Sequence, residues 1–280
     1  MIELAELIKA IFLGIVEGIT EFLPISSTGH LIVASALVDF RANAGGTFEI
    51  FIQLGAVLAV VWFYRAELLR QVRNVGADES IQRLWLAIVI AVIPAGVMGF
   101  LLRDWIKNVL FSPTVVAMML IIGGVILIMI ERGKTGKDTA AESSAQPERS
   151  DLTRITMRQA LIVGIAQTIA LIPGVSRSAA SIIGGMFTGL DRRTATEFSF
   201  LLAIPTLGGA TIADLLFSLD EIQPDEFVYL AVGLVVSAVV AWLAIRWLLG
   251  YVARHNFVGF GVYRILAGTA LLLLVAAGML

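Results

Sequence analysis

Six uninterrupted apolar runs dominate the hydropathy pattern: Phe48–Tyr64, Leu84–Leu102, Pro113–Ile130, Thr196–Phe217, Phe227–Leu248 and Val258–Met279. Each holds 17–22 residues. At 1.5 Å of rise per residue this suits a hydrocarbon layer about 30 Å thick, so each run is predicted to be a transmembrane helix. Two further apolar stretches, 6–38 and 159–190, are split near their middles. Pro24-Ile25-Ser26-Ser27-Thr28-Gly29 divides the first, and Pro173-Gly174-Val175-Ser176-Arg177-Ser178 divides the second. A proline pushes the residue before it out of the α region, ending one helix, and the hydroxyls that follow suit the start of another. The halves are too short to cross a bilayer, which predicts two re-entrant helix-loop-helix hairpins. Irregular backbone at that depth must be enclosed by protein or line a watery cavity.

The two split stretches also resemble each other. Gly14-Ile15-Val16-Glu17-Gly18-Ile19 aligns with Gly164-Ile165-Ala166-Gln167-Thr168-Ile169, and after a one-residue slip Pro24–Thr28 aligns with Pro173–Arg177. Downstream, Glu49 and Glu197 open corresponding spans. The expectation is a single all-α integral-membrane domain, 1–280, built as an inverted-topology repeat with six transmembrane helices and two re-entrant hairpins. Residues 1–132 form the first repeat, 133–151 a cytoplasmic linker and 152–280 the second repeat. Three spans after each hairpin turn the second half upside down relative to the first.

Composition agrees with a lipid environment. The chain is 58% hydrophobic and 15% charged, with a mean hydropathy of +0.91; soluble domains run nearer 45–50% and about 25%. A net charge of −2 gives no general attraction to nucleic acid, and the absence of cysteine excludes disulfides and thiol chemistry. Residues 1–6 carry two acids and no base, so the first apolar run is expected to remain in the mature protein rather than act as a signal peptide.

Charge placement supplies an orientation. Residues 65–83, 131–158, 191–195 and 246–257 hold fourteen Lys and Arg, against three in the opposite connections: Arg41, Arg103 and Lys107. The positive-inside rule then places the first group in the cytoplasm and both termini outside, so the first hairpin enters from the outer face. The 133–151 segment is polar and aromatic-free, as a flexible linker should be.

The candidate chemistry lies at the two breaks. Glu17 and Glu21 are four residues apart on one helix face, and ionisable groups are costly at such depth. Ser26, Ser27, Thr28 and His30 follow at a helix start whose free N–H groups favour phosphate. Hairpins dipping from opposite faces would bring these residues to Ser176, Arg177 and Ser178. The Arg177 guanidinium needs an anionic partner, either Glu17 or Glu21 or a bound oxyanion. Two carboxylates beside phosphate would call for an oxygen-seeking divalent cation such as Mg²⁺ or Ca²⁺.

Each residue also has a plainer reading. The acids could be a packing pair, the hydroxyls helix caps, His30 a satisfied buried histidine, and Arg177 a partner of a carboxylate. Glu49 and Glu197 sit at span mouths, His255 lies in a basic loop, and Gln53, Asp214 and Arg264 read as structural. Paired small residues such as Gly123-Gly124 suit close helix packing within the chain or in a homodimer.

The EGITEFLPISSTGH and PGVSRS runs together resemble the undecaprenyl-diphosphate phosphatase family, also called the bacitracin-resistance proteins, and the resemblance extends over the whole chain. It implies a bacterial plasma-membrane enzyme that removes the terminal phosphate from a polyprenyl diphosphate, returning the lipid carrier to cell-wall synthesis. Carried over by position, Glu17 and Glu21 are the acidic pair, Ser27 and His30 the catalytic candidates, and Arg177 the phosphate-binding arginine; the divalent cation that the charge argument calls for would be held by Glu17 and Glu21. Ser26, Thr28, Ser176, Ser178 and Ser181 would contact substrate. Val175, Ala179 and Ser181 stand where the commoner family pattern has Thr, Gly and Thr. Either Ser27 attacks with His30 as base, or His30 attacks. Two rivals remain open: a secondary transporter or lipid flippase on the same scaffold, and a non-catalytic membrane subunit.

Overall fold

The computed structural model describes residues 3–40, 47–134, 152–218 and 226–279. Every regular element among them is helical. In chain order they are α1 (Leu4–Thr20), α2 (Ser27–Val38), α3 (Thr47–Phe63), α4 (Arg65–Asn74), α5 (Glu79–Trp105), α6 (Pro113–Lys134), α7 (Met157–Thr168), α8 (Arg177–Phe187), α9 (Arg192–Ser218), α10 (Phe227–Val252) and α11 (Val258–Ala276). Most of the predicted 133–151 linker lies outside the described residues.

Five helices, α5, α6, α9, α10 and α11, are each long and apolar enough to cross a membrane. The predicted sixth span is the 17-residue α3, which meets the length requirement only together with α4 after a 68° bend. The chain is therefore a multi-pass membrane protein. Leu86, Phe100, Leu101 and Leu266, each more than half exposed, belong to the outward faces these spans would turn to lipid.

The two split stretches are helix, break, helix. α1 runs into the turn before Pro24, and α2 begins at Ser27. α7 starts on a capping box: Gln159 N–H donates to Thr156 Oγ1 at 3.2 Å, and Thr156 N–H donates to Gln159 Oε1 at 3.0 Å. It tightens into a 3₁₀ turn at Ile169–Leu171 before Pro173, and α8 begins at Arg177.

Packing treats the two stretches alike. α1 lies against α10 and α7 against α5, while α3 packs on α9 and α6 on α11. The α1 and α7 contacts both need glycine. A Cβ on Gly14 would lie 2.8 Å from the Gly233 carbonyl oxygen of α10, and one on Gly164 would lie 2.5 Å from that of Ala91 in α5. Close backbone approach between apolar helices depends on such residues, because dispersion, rather than expulsion of water, holds helices together in lipid. Beneath the breaks, Phe22 meets Phe200 edge to face at 5.3 Å, and both are fully buried. At the far ends of α6 and α9, Arg192 grips Glu131 at 2.7 Å while Glu131 also accepts the Phe257 N–H at 2.9 Å, tying three helices at one point.

Candidate active site

Both breaks end on a serine with positive φ. Ser26 has φ 71° and ψ 100°, and Ser176 has φ 75° and ψ 117°. Side chains rarely adopt this region, since Cβ crowds the backbone, so its presence at matching helix starts marks strain held by the surroundings. Ser26 and Ser176 are 150 residues apart, as are Gly14 and Gly164. The caps thus align without the one-residue slip that matching the prolines required, and Ser27 becomes the counterpart of Arg177.

The breaks touch. Arg177 Nη2 donates to Glu21 Oε1 at 3.0 Å, and Glu21 Oε2 accepts the Ser27 hydroxyl at 2.6 Å. Of the alternatives open from sequence, the guanidinium pairs with Glu21. Its Nη1 donates to the carbonyl oxygen of Ser199 at 3.0 Å, and its carbon sits 5.5 Å from the centre of the Phe22 ring. Arg177 Nε is buried without a hydrogen-bond partner. The Ser178 hydroxyl donates to the Leu23 carbonyl oxygen at 2.9 Å, so the Ser176 hydroxyl, 3.0 Å away, donates to Ser178 Oγ while accepting the Ala179 N–H.

A cavity of about 130 Å³ opens between the breaks. That is roughly ten times what one water requires. Glu21, Ser26, Ser27 and Thr28 line one side, Pro173, Gly174, Ser176 and Arg177 the other, with Ala170, Gln53 of α3 and Leu207 of α9 completing the wall. Gln53, read from the sequence as structural, has its Oε1 taken by Thr211 at 3.2 Å, which leaves its Nε2 as the donor end. Among the described residues, the cavity therefore gathers a guanidinium, hydroxyls, an amide and two helix starts around one carboxylate. Such a surface suits an oxyanion.

Three predicted site residues lie behind this wall. Ser178 and Ser181 are fully buried and spend their hydroxyls inside the protein, Ser181 Oγ lying 2.7 Å from Ser199 Oγ. Glu17 is 1% exposed, and neither of its carboxylate oxygens has a hydrogen-bond partner. Its position one turn below Glu21 is fixed by the Glu21 N–H donating to its carbonyl oxygen at 2.9 Å.

His30 faces elsewhere. Its Nδ1 is 2.8 Å from the Ser26 carbonyl oxygen, which can only accept, so Nδ1 carries the hydrogen. Nε2 lies 2.6 Å from the Tyr263 hydroxyl of α11, and the two rings stack at 5.6 Å with 4° between their planes. His30 does not line the cavity, and its nearest link to it is the backbone of Ser26.

An oxygen-seeking cation fits the acids in part. Glu17 offers two buried oxygens without partners and Glu21 lies beside it. Among the described residues no three His, Cys, Asp or Glu are grouped to form a complete ligand set.

Known proteins resemble this chain over nearly its whole length. The family model described as Bacitracin resistance protein BacA matches residues 10–270. A Deinococcus radiodurans protein named undecaprenyl-diphosphatase is 49% identical over 270 residues, covering 95% of this chain and 94% of that protein. Proteins of the same name from Acinetobacter baumannii and Cupriavidus necator are each 45% identical. They cover 96% and 99% of this chain, and 95% and 98% of their own lengths.

Proposed function

The chain belongs to the bacitracin resistance protein BacA family, and from that premise we propose that it hydrolyses undecaprenyl diphosphate to undecaprenyl phosphate and inorganic phosphate in the bacterial plasma membrane. The observation that carries the reading is the Arg177–Glu21–Ser27 chain, which sets a phosphate-binding cation and a hydroxyl with its proton acceptor on one cavity. The transporter alternative is not favoured, since the relatives are named for hydrolysis.

In the proposed reaction Arg177, Gln53 and the free N–H groups at the starts of α2 and α8 receive the terminal phosphate, neutralising charge that builds up during transfer. Ser27 Oγ attacks phosphorus in line as Glu21 takes its proton. The bond from phosphorus to the bridging oxygen breaks, and the lipid monophosphate leaves with the electron pair. Glu21 passes that proton to the departing phosphate oxygen and is a carboxylate again; it then takes a proton from the water that attacks the phosphoserine and returns it to Ser27 Oγ as the P–Oγ bond breaks, releasing phosphate and restoring the hydroxyl. His30 supports this by holding the Ser26 carbonyl that precedes the nucleophile. A divalent cation, Mg²⁺ or Ca²⁺, would be held by Glu17 and Glu21 and, when bound, supplies Lewis-acid neutralisation of phosphate charge.

The architecture proposed around the site is an inverted repeat, 1–132 and 152–280, whose re-entrant hairpins 6–38 and 159–190 meet at the cavity. The matched Ser26 and Ser176 caps and the paired α1–α10 and α7–α5 contacts support it. Lys and Arg placement supports a cytoplasmic 133–151 linker, termini outside and a cavity opening outward. Gly123 and Gly124 are used within the chain, while Gly96 of α5 and Gly209 of α9 are exposed where an added Cβ would meet nothing within 4 Å, and these open faces support a homodimer as the proposed assembly. The test is phosphate release from undecaprenyl diphosphate by purified protein in detergent, with and without chelator. No release by well-folded protein in added Mg²⁺ or Ca²⁺ would reject the enzyme.

A further inference from the structure

Arg264 of α11 is the largest fully buried side chain in the molecule among the described residues, at 0% exposure. All its hydrogen-bond partners are backbone carbonyl oxygens: Pro24 from the first break at 3.2 Å, Gly174 and Val175 from the second at 3.1 and 3.0 Å, and Met119 and Leu120 of α6 at 3.2 and 3.3 Å. A charge at this depth is ordinarily matched by a carboxylate. Here carbonyl dipoles take that place, and they come from both breaks at once.

The gripped residues are equivalent. Pro24 precedes Ser26 by two positions, and Gly174 precedes Ser176 by two. The guanidinium thus holds both breaks immediately before the residues forced into positive φ. That conformation costs roughly 1–3 kcal/mol at a non-glycine residue and persists only where the surroundings impose it. α6 is cleared to allow this: a Cβ on Gly123 would collide with Arg264 Nη2, and one on Gly124 would lie 2.6 Å from the Gly261 carbonyl oxygen. Arg is required because only its planar fork presents five donors in fixed directions, whereas the Lys ammonium is a compact point charge with three.

We propose that Arg264 is the positioning residue that locks the two breaks to each other, fixing the distance between Ser27 on one and Arg177 on the other. This rests on the phosphatase reading for its kinetic consequence, but the clasp itself can be measured without activity. Arg264 touches no cavity-lining side chain among its hydrogen-bond partners, so its effect on catalysis passes through geometry alone.

Two variants test it by different routes. Arg264→Lys keeps the charge and loses most of the fork; Gly123→Ala keeps the arginine and displaces its Nη2. In each, kcat for phosphate release is expected to fall about ten-fold or more while KM stays within about two-fold, because small misplacement of reacting groups costs turnover before binding. Since the chain has no cysteine, nitroxide labels on Leu37→Cys and Phe187→Cys, at the exposed far ends of α2 and α8, report the relation between the hairpins. The distance distribution between them should be narrow in the parent and broad in both variants. A parent-like distribution, or a parent-like kcat, in either folded variant overturns the clasp; if Arg264→Lys does not accumulate in membranes, Gly123→Ala decides. Should the parent itself release no phosphate, the phosphatase reading fails and the distance measurement still judges the clasp.

Discussion

Arg177 and Glu21, 156 residues apart in the chain, form an ion pair at 3.0 Å with side chains 11% and 5% exposed. Burial makes the pair a structural tie between the breaks and, in the proposed reaction, the charged surface that phosphate meets. Removing one member strands the other, at a cost of about 3–5 kcal/mol, whereas replacing both with apolar or neutral groups of similar size is often nearly neutral. Arg177→Met and Glu21→Gln are therefore each expected to lower thermal stability in detergent. The double variant should recover most of it and still release no phosphate. Activity returning with stability would reduce the pair to scaffolding.

The Ser27 hydroxyl lies 2.6 Å from Glu21, while His30 is occupied by Ser26 and Tyr263. Phosphate trapped during turnover by denaturation in detergent near neutral pH, where phosphoserine and phosphohistidine both survive, should appear on Ser27 and not on His30 when peptides are mapped by mass spectrometry. Ser27→Ala should lower kcat by about a thousand-fold or more, as loss of a nucleophile generally does. His30→Gln should cost less, on the order of ten- to a hundred-fold, since it disturbs the Ser26 carbonyl rather than the reacting bond. Label on His30 would move the nucleophile there.

The sequence made the spans and both breaks legible because lipid writes long apolar runs, and proline with hydroxyls punctuates them at Pro24 and Pro173. It placed Glu21, Ser27 and Arg177 in one neighbourhood for the same reason: such groups are tolerated at depth only where they meet. Four features were not legible. Whether Ser178 and Ser181 face the cavity or the interior depends on helix rotation, which a short apolar stretch of small residues does not encode. The direction of the His30 ring depends on Tyr263, 233 residues away. Arg264 read as structural because its partners are backbone carbonyls, which leave no mark in side-chain identity. The bend after Phe63 also escaped, since the composition of α3 alone is that of a span.

Glu17 has no hydrogen-bond partner, and the charges that reach it are those of Glu21, Glu49 and Arg177. An unpartnered buried carboxylate is costly to folding, so a residue kept there for packing alone would be better neutral. Glu17→Gln is expected to leave melting in detergent unchanged or raise it, at roughly 2–4 °C per kcal/mol gained. The same change should abolish both activity and the response of activity to added divalent cation. A Glu17→Gln variant still stimulated by Mg²⁺ or Ca²⁺ would remove Glu17 from the ligand set.

Strain at the two caps gives a separable test. Ser176 Oγ accepts the Ala179 N–H at 3.2 Å, whereas the Ser26 side chain caps nothing. Glycine tolerates positive φ without the Cβ penalty, which is on the order of 1 kcal/mol, and loses only a few tenths at an N-cap. Ser26→Gly should therefore melt higher than Ser26→Ala, and Ser26→Val lowest of the three, because a branched Cβ is excluded there. Identical melting across the series would show that the positive φ carries no strain.

Orientation follows from charge and is checked by reach. The proposed topology puts the α4–α5 connection and the turn after α10 on the cytoplasmic side, and the end of α11 outside. Ala77, Ala253 and Ala277 are exposed at these three places, and each can be made the sole cysteine of the chain. A membrane-impermeant maleimide added to intact cells should label Ala277→Cys and leave Ala77→Cys and Ala253→Cys untouched until the membrane is opened. The reverse pattern would turn the molecule over and place the mouth of the cavity in the cytoplasm. The Lys and Arg bias, fourteen against three, would then need an origin other than the positive-inside rule.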